Sequence, residues 1–142
     1  MAFADAQKNA VIDFGEDESE IELAGTVKVG DAIGWSSGWK RALATTSSVI
    51  QMRCVAGKDG EDGQKIKAYF GKVFINGSRF SGGTAGASLY VAEGTDNGKY
   101  TETAPSDSGD ANTVVGYMIS ANEAVLIPIY HYWGRYSSKA SR

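Results

Sequence analysis

From Ile21 onward the chain alternates apolar and polar residues with a period of two, the spacing of a strand buried on one face. Ile21 to Leu23 alternates, as does Thr26 to Val29, before Val29-Gly30-Asp31 turns the chain. Ala32 to Trp35 follows, and Ser36-Ser37-Gly38 turns it again ahead of Trp39 to Ala44. The longer run from Val49 to Ala56 puts Ile50, Met52, Cys54 and Ala56 on one face and Gln51 and Arg53 on the other. Gly57 to Gly63 is a turn-rich loop. Gln64 to Ile75 reads as one long strand, or as two with a kink at Gly71, with Ile66, Ala68 and Phe70 opposite Lys65 and Lys67. Asn76-Gly77-Ser78 is a strong turn signal. Thr113 to Ser120 and Ala124 to Tyr130 are apolar at both odd and even positions, the pattern of strands covered on both sides. No helix of three turns is predicted. Short strands separated by turn signals every 8 to 12 residues or so predict an all-β fold, a compact β-sandwich or β-barrel-like domain.

The stretch from Gly82 to Pro105 raises a chemical question, because glycine-rich loops beside strands sometimes cradle phosphate. Such a loop needs a following helix whose N-terminal N–H groups face the anion. Here Leu89 to Val91 is a strand, Gly94 to Gly98 reverses it, and Lys99 to Thr103 leads out, so a hairpin is expected.

Residues 1–18 differ from the rest. Phe3, Val11, Ile12 and Phe14 are apolar but too sparse for a core, and an acidic run follows at Glu16 to Glu20. An extended arm with apolar anchors is expected. A disordered terminus and a short helix over Asp5 to Ala10 are the other readings. The organisation expected is an arm over 1–18, a β-domain over 19–130 and a tail over 131–142.

With 142 residues, one domain with a real core is expected. Its 18 glycines against only two prolines fit strands joined by tight turns. A net charge of −3 gives the whole chain no attraction for nucleic acid or an anionic membrane, and neither is an expected partner. Arg135, Lys139 and Arg142 form a small basic cluster of the kind usually just solvated. Cys54 is alone, so no intramolecular disulfide can form, and its place in the alternation marks it as a small buried apolar residue. The first residues lack the basic and apolar regions of a signal peptide, and no apolar run approaches membrane-helix length. A soluble protein made in the cytoplasm is expected.

Candidate chemistry is thin. The one histidine, His131, lies among aromatics, and G-x-S-x-G is missing, so a packed or interface histidine is favoured over a general base. One Cys and one His cannot make a Cys/His zinc site. Asp59 to Gly63 offers three carboxylates without calcium-loop spacing. No enzyme, metal or cofactor is expected. Trp35 and Trp39 flank a turn, and Trp133 lies in the tail; core caps, a protein interface or a sugar-stacking platform are the readings.

Gly30, Asp31 and Ile33 at a turn, Gly86, Leu89, Tyr90, Gly94 and Thr101 in a hairpin, and Val115, Gly116, Val125, Ile127 and Pro128 at the end form an ordered set. Over about Ala24 to Ile129 this pattern resembles the small bacteriophage capsid decoration, or cement, proteins. The resemblance implies a compact β-domain and a homotrimer on the exterior of the virion, at three-fold and quasi-three-fold sites of an icosahedral head. It implies that the major capsid protein is the partner, and no catalysis. The expected contacts are Phe3, Val11, Ile12 and Phe14 in one set and Tyr130, Tyr132, Trp133 and Tyr136 in another, because these apolar residues lie outside the core pattern. The alternative is a carbohydrate- or receptor-binding β-module of a phage tail or fibre, with Trp35 and Trp39 as its platform.

Overall fold

A computed structural model of the protein describes residues 10–94 and 98–128. The chain forms β1 (Val11–Gly15), β2 (Glu18–Glu22), β3 (Ala32–Trp35), β4 (Trp39–Arg41), β5 (Cys54–Ala56), β6 (Lys65–Tyr69) and β7 (Val73–Asn76). A 3-10 turn at Ser78–Phe80 leads to β8 (Ser88–Val91), β9 (Tyr100–Thr101), β10 (Gly116–Met118) and β11 (Glu123–Leu126). The strands make two antiparallel sheets. One has six strands in the order β1-β7-β11-β10-β8-β9, the other five in the order β2-β6-β5-β3-β4. The domain is all-β and sandwich-like.

Between the sheets lies the main core. Val73, Ile75, Leu89, Met118 and Leu126 of the six-stranded sheet meet Ala32 and Val55 of the other, with Met52, Phe80 and Tyr100 closing the gaps. A second cluster collects Ile21, Ile33, Cys54, Ala56, Ile66 and Ala68, from the opposite face of the five-stranded sheet. Leu23 and Val27 belong to it too, so the stretch expected as a Thr26–Val29 strand is instead a lid over this cluster. Only Val27 pairs, with Gly60. The run from Val49 to Ala56 is likewise a strand only at Cys54–Ala56, because Ile50 is taken up earlier in a bridge to Leu43. Cys54 is fully buried, and burial pushes its thiol up to about 12.

One long ribbon joins the two sheets. β1 pairs with β7 and β2 pairs with β6, so both chains cross together from one sheet to the other. At the crossing Gly71 N–H donates to the Glu16 carbonyl at 3.0 Å, and Phe70 N–H to that of Asp17 at 3.1 Å. Asp17 takes a left-handed φ of 57°. A Cβ on Gly71 would stand 2.7 Å from the Glu16 Cβ, so glycine permits the approach. Of the two readings for Gln64 to Ile75, the structure takes the kinked one, and the kink at Gly71 is a change of sheet.

The Gly82–Pro105 stretch is a hairpin: β8 pairs antiparallel with β9 through Tyr90–Thr101 and Val91–Tyr100. Strand β11 is buried at Ala124, Val125 and Leu126, as the two-sided pattern requires. Strand β10 departs from it at Tyr117, which is 45% exposed on the outer side of its sheet.

Candidate interaction face

The outer side of the six-stranded sheet is partly open, at Val11, Phe14, Tyr117 and Ile119. Cross-strand register places Phe14 opposite Phe74, Phe74 opposite Val125, Val125 opposite Tyr117, and Tyr117 opposite Ser88. The result is an apolar row across four strands, ending at a serine, in which Phe14 and Tyr117 are exposed, Phe74 is half-buried and Val125 is buried. Strand parity puts these residues outside, because their neighbours Val73, Ile75, Ala124, Leu126, Met118 and Leu89 point into the core. A shift in register between Ile12 and Phe14 lets Ile12 pack on the core while Phe14 turns outward. Phe14 and Phe74 meet edge to face at 6.2 Å, and the Lys72 ammonium stands 6.0 Å from the Phe74 ring. Val11 at 56%, Phe14 at 52% and Ile119 at 43% remain open to solvent beside Tyr117.

The far wing of the other sheet is different. There Glu20 faces Lys67 and Glu22 faces Lys65, all exposed, in opposite-charge cross-strand pairs that suit water. An aromatic phenylalanine or tyrosine carries about 150–250 Å² of side-chain surface. At their exposed fractions Phe14 and Tyr117 therefore offer about 100 Å² each, and Val11 and Ile119 bring the row to roughly 300–400 Å². A stable pairwise interface needs about 800 Å² from each partner, so one copy of this face binds weakly by itself.

The expected contact residues are thus placed as follows. Val11 and Phe14 lie on the open face, and Ile12 is half-buried against the core of its own chain. Val11–Gly15, which falls within the expected arm, is a strand paired with β7. Phe3, Tyr130, Tyr132, Trp133 and Tyr136 lie outside the described residues, as do His131 and the basic cluster. Phe74, Tyr117, Val125 and Ile119 belong to the face although sequence reasoning assigned them to strands alone. Their alternation with core residues was visible; that Tyr117 and Ile119 stay exposed while Val125 is buried was not.

A second aromatic group sits on the β3–β4 hairpin. Trp35 and Trp39 meet edge to face at 5.4 Å, and Trp39 meets Phe70 at 5.7 Å. Trp39 and Phe70 pack on the second core cluster, while Trp35 is 61% exposed.

Behind the face lies a buried polar knot. Asp31, with no exposed surface, accepts from Arg79 Nη2 at 2.5 Å, Arg41 Nε at 2.6 Å and Lys28 N–H at 2.8 Å. Arg79, 1% exposed, also donates to the carbonyls of Val29 and Gly98. Its guanidinium lies 5.8 Å from the ring centre of Tyr100, whose hydroxyl donates to the Gly30 carbonyl at 2.8 Å. The knot ties the 3-10 turn after β7 to the start of β3, and hence one sheet to the other. Its charges are paired with one another inside the fold, which suits a fastening.

One carboxylate cluster gathers Glu93, Asp107 and Asp110, with an oxygen of each within 4.8 Å of the others. Asp110 accepts from Thr46 N–H and Thr46 Oγ1, both at 2.7 Å, and these bonds hold its carboxyl below the usual range. A hydrogen bond with Asp110 raises Glu93. The cluster staples the loop after β9 to the loop after β4 through Asp110 and Thr46. The acidic loop singled out in sequence serves as a turn: Asp59 Oδ1 accepts from Val29 N–H at 2.8 Å, and Gln64 Oε1 from Glu61 N–H.

Compared with protein-family models, with curated proteins and with solved structures, the chain matches none.

Proposed function

We propose that this chain is a capsid decoration protein of a bacteriophage. It binds the outside of an icosahedral head as a homotrimer at three-fold and quasi-three-fold sites and holds neighbouring major capsid subunits together, without catalysis. The observation that carries the reading is the apolar row Phe14–Phe74–Val125–Tyr117 on the outer side of a sheet, with Phe14 and Tyr117 exposed at its two ends. A face of that size grips weakly once and firmly when many copies act together on one shell, because linked contacts share the entropic cost of association. The resemblance of the strand and turn signatures to cement proteins names the shell.

The test is sedimentation with expanded, undecorated heads. Phe14→Asp and Tyr117→Asp each place a charge in the row without touching the core, so both stay folded and both lose occupancy. Wild-type occupancy by the two variants sinks the proposal. Point substitution is preferred to deleting 1–15, which would strip β1 from its sheet.

One observation favours a second reading, a carbohydrate-binding module: Trp35 presents an open indole held edge-on by Trp39. A glycan array comparing the wild type with a Trp35→Ala, Trp39→Ala double variant separates the two.

A further inference from the structure

Four strands lie at the margins of the two sheets: β1, β9, β2 and β4. Unpaired strand edges invite other strands, and proteins blunt or cover them. Strand β1 has a register shift between Ile12 and Phe14 and carries Asp13. Strand β9 is two residues long and buried. Strand β4 is met by Leu23 in a parallel bridge, and the Trp39 carbonyl accepts from Ala24 N–H at 2.9 Å. Strand β2 is the margin where the described residues leave a run of backbone groups free.

Two hydrogen bonds fix which groups these are. Leu23 N–H donates to the Gln64 carbonyl at 2.8 Å, and Phe70 N–H to that of Asp17 at 3.1 Å. With Glu18 opposite Tyr69 and Glu22 opposite Lys65, those bonds turn the odd-numbered residues from 17 to 23 toward β6. Glu18, Glu20 and Glu22 therefore direct N–H and C=O away from it. Ala24 does the same, and its N–H finds Trp39; the three glutamates find no backbone partner there among the described residues. Their side chains are exposed and share one face of the strand. Lys67 and Lys65 stand across from Glu20 and Glu22 on the β6 side, while Glu18 faces Tyr69, so negative charge is in excess along this margin.

We propose that β2 accepts an extended segment of a partner protein as an added strand, one that carries Lys or Arg at every second position. The free N–H and C=O groups supply the ladder, and the alternating charge supplies the choice of partner. Opposite charges directly across a strand pair are favourable and like charges are not. A basic segment meets Glu18, Glu20 and Glu22 in turn, giving each glutamate a cation on its outer side. The same glutamates oppose pairing with the β2 of a second copy, which would set carboxylate against carboxylate. The chain's own alternating basic strand, β6 with Lys65 and Lys67, lies inside its sheet and cannot serve a neighbour. The added strand stops short of Leu23, because from there on the line is taken by β4. This edge lies on the other sheet from the apolar row, so the pairing does not depend on the proposed function.

The probe is a synthetic peptide alternating lysine and threonine, titrated into the isotope-labelled full chain at low salt and followed by amide NMR. The expected result is saturable movement of the Glu18, Glu20 and Glu22 amide signals, larger than at Ser19 and Ile21, whose N–H groups already face β6. Glu18→Gln, Glu20→Gln and Glu22→Gln together should weaken binding about tenfold, with the rest of the spectrum unchanged because these exposed side chains lie outside the core. The same peptide with methylated backbone nitrogens keeps its charge but cannot form a ladder, and should not bind. Equal binding by the methylated peptide overturns the proposal, since charge attraction alone would then suffice. So does equal binding by a glutamate–threonine peptide, or an unmoved β2 at millimolar lysine peptide. A dimer that protects the β2 amides without any peptide overturns it too, by making the occupant a second copy.

Discussion

Replacing Asp31 with asparagine removes one charge and almost no volume, and should be among the most damaging single changes in this domain. The carboxylate receives three hydrogen bonds, two of them from guanidinium groups. Asparagine has one oxygen, so its amide nitrogen must face a donor, either Arg79 Nη2 or the pair formed by Arg41 Nε and Lys28 N–H. Arg79 is then left charged, 1% exposed and without its counter-ion. Breaking a buried pair by removing one partner costs about 3–5 kcal/mol. Arg41 contributes little of this, because its side chain is 26% exposed and water replaces the lost partner. A loss of that size is a large share of a domain stability of about 5–15 kcal/mol. It should lower the melting temperature by about 10–20 °C. Urea denaturation followed by tryptophan fluorescence measures it, with an unchanged slope showing that the same surface unfolds. Arg41→Met should cost only about 1 kcal/mol. The double variant Asp31→Asn, Arg79→Met should be more stable than Asp31→Asn alone, since no buried cation is stranded. A midpoint for Asp31→Asn within about 1 kcal/mol of wild type would refute the reasoning, for it would mean that Asp31 does not balance Arg79.

Other outcomes follow from separate parts of the structure. Gly34→Ala sets a Cβ 1.9 Å from the Gln51 carbonyl oxygen, a backbone atom that cannot swing away, and should cost about 3 kcal/mol by urea titration. Cys54, raised to about 12 by burial, should resist a thiol reagent at pH 8 in the native protein and react once urea unfolds it. Because its folded pKa is raised, its contribution to stability is intact below the ordinary thiol pKa and declines as pH rises toward about 12, visible as alkaline loss of melting temperature. Glu93, raised by Asp110, is favoured in its protonated form by folding, so Glu93→Gln should raise the melting temperature at pH 7 and change it little in acid, where Glu93 is already neutral.

Much of this fold was legible beforehand, and particular residues show why. Cys54 was assigned to the interior from its place in an alternating run, and it is fully buried. The Asn76-Gly77-Ser78 turn is where β7 ends, and Gly77 takes a φ of 136°. These are local matters of side-chain period and backbone tolerance. Thr26 to Val29 misled because an alternating stretch can cover a core as well as pair in a sheet. Strand β10 misled because Tyr117, an aromatic in an apolar run, is left 45% exposed. Of the open face, only Val11 and Phe14 were found in advance, as apolar residues without an evident core to join.

By itself the order of residues determined that the chain is all-β, where several of the turns fall, and that Gly71 bends a long strand. Those properties depend on neighbours one to four positions away. Only the tertiary structure decided that the bend at Gly71 carries a ribbon between sheets, that Asp31 and Arg79 neutralise each other 48 positions apart, and that Phe14 and Tyr117 stay exposed on one side of the six-stranded sheet. Alternation says that a strand has two unlike faces. What each face meets is set by which strands pair and which loops fold over them, and that depends on contacts far apart along the chain.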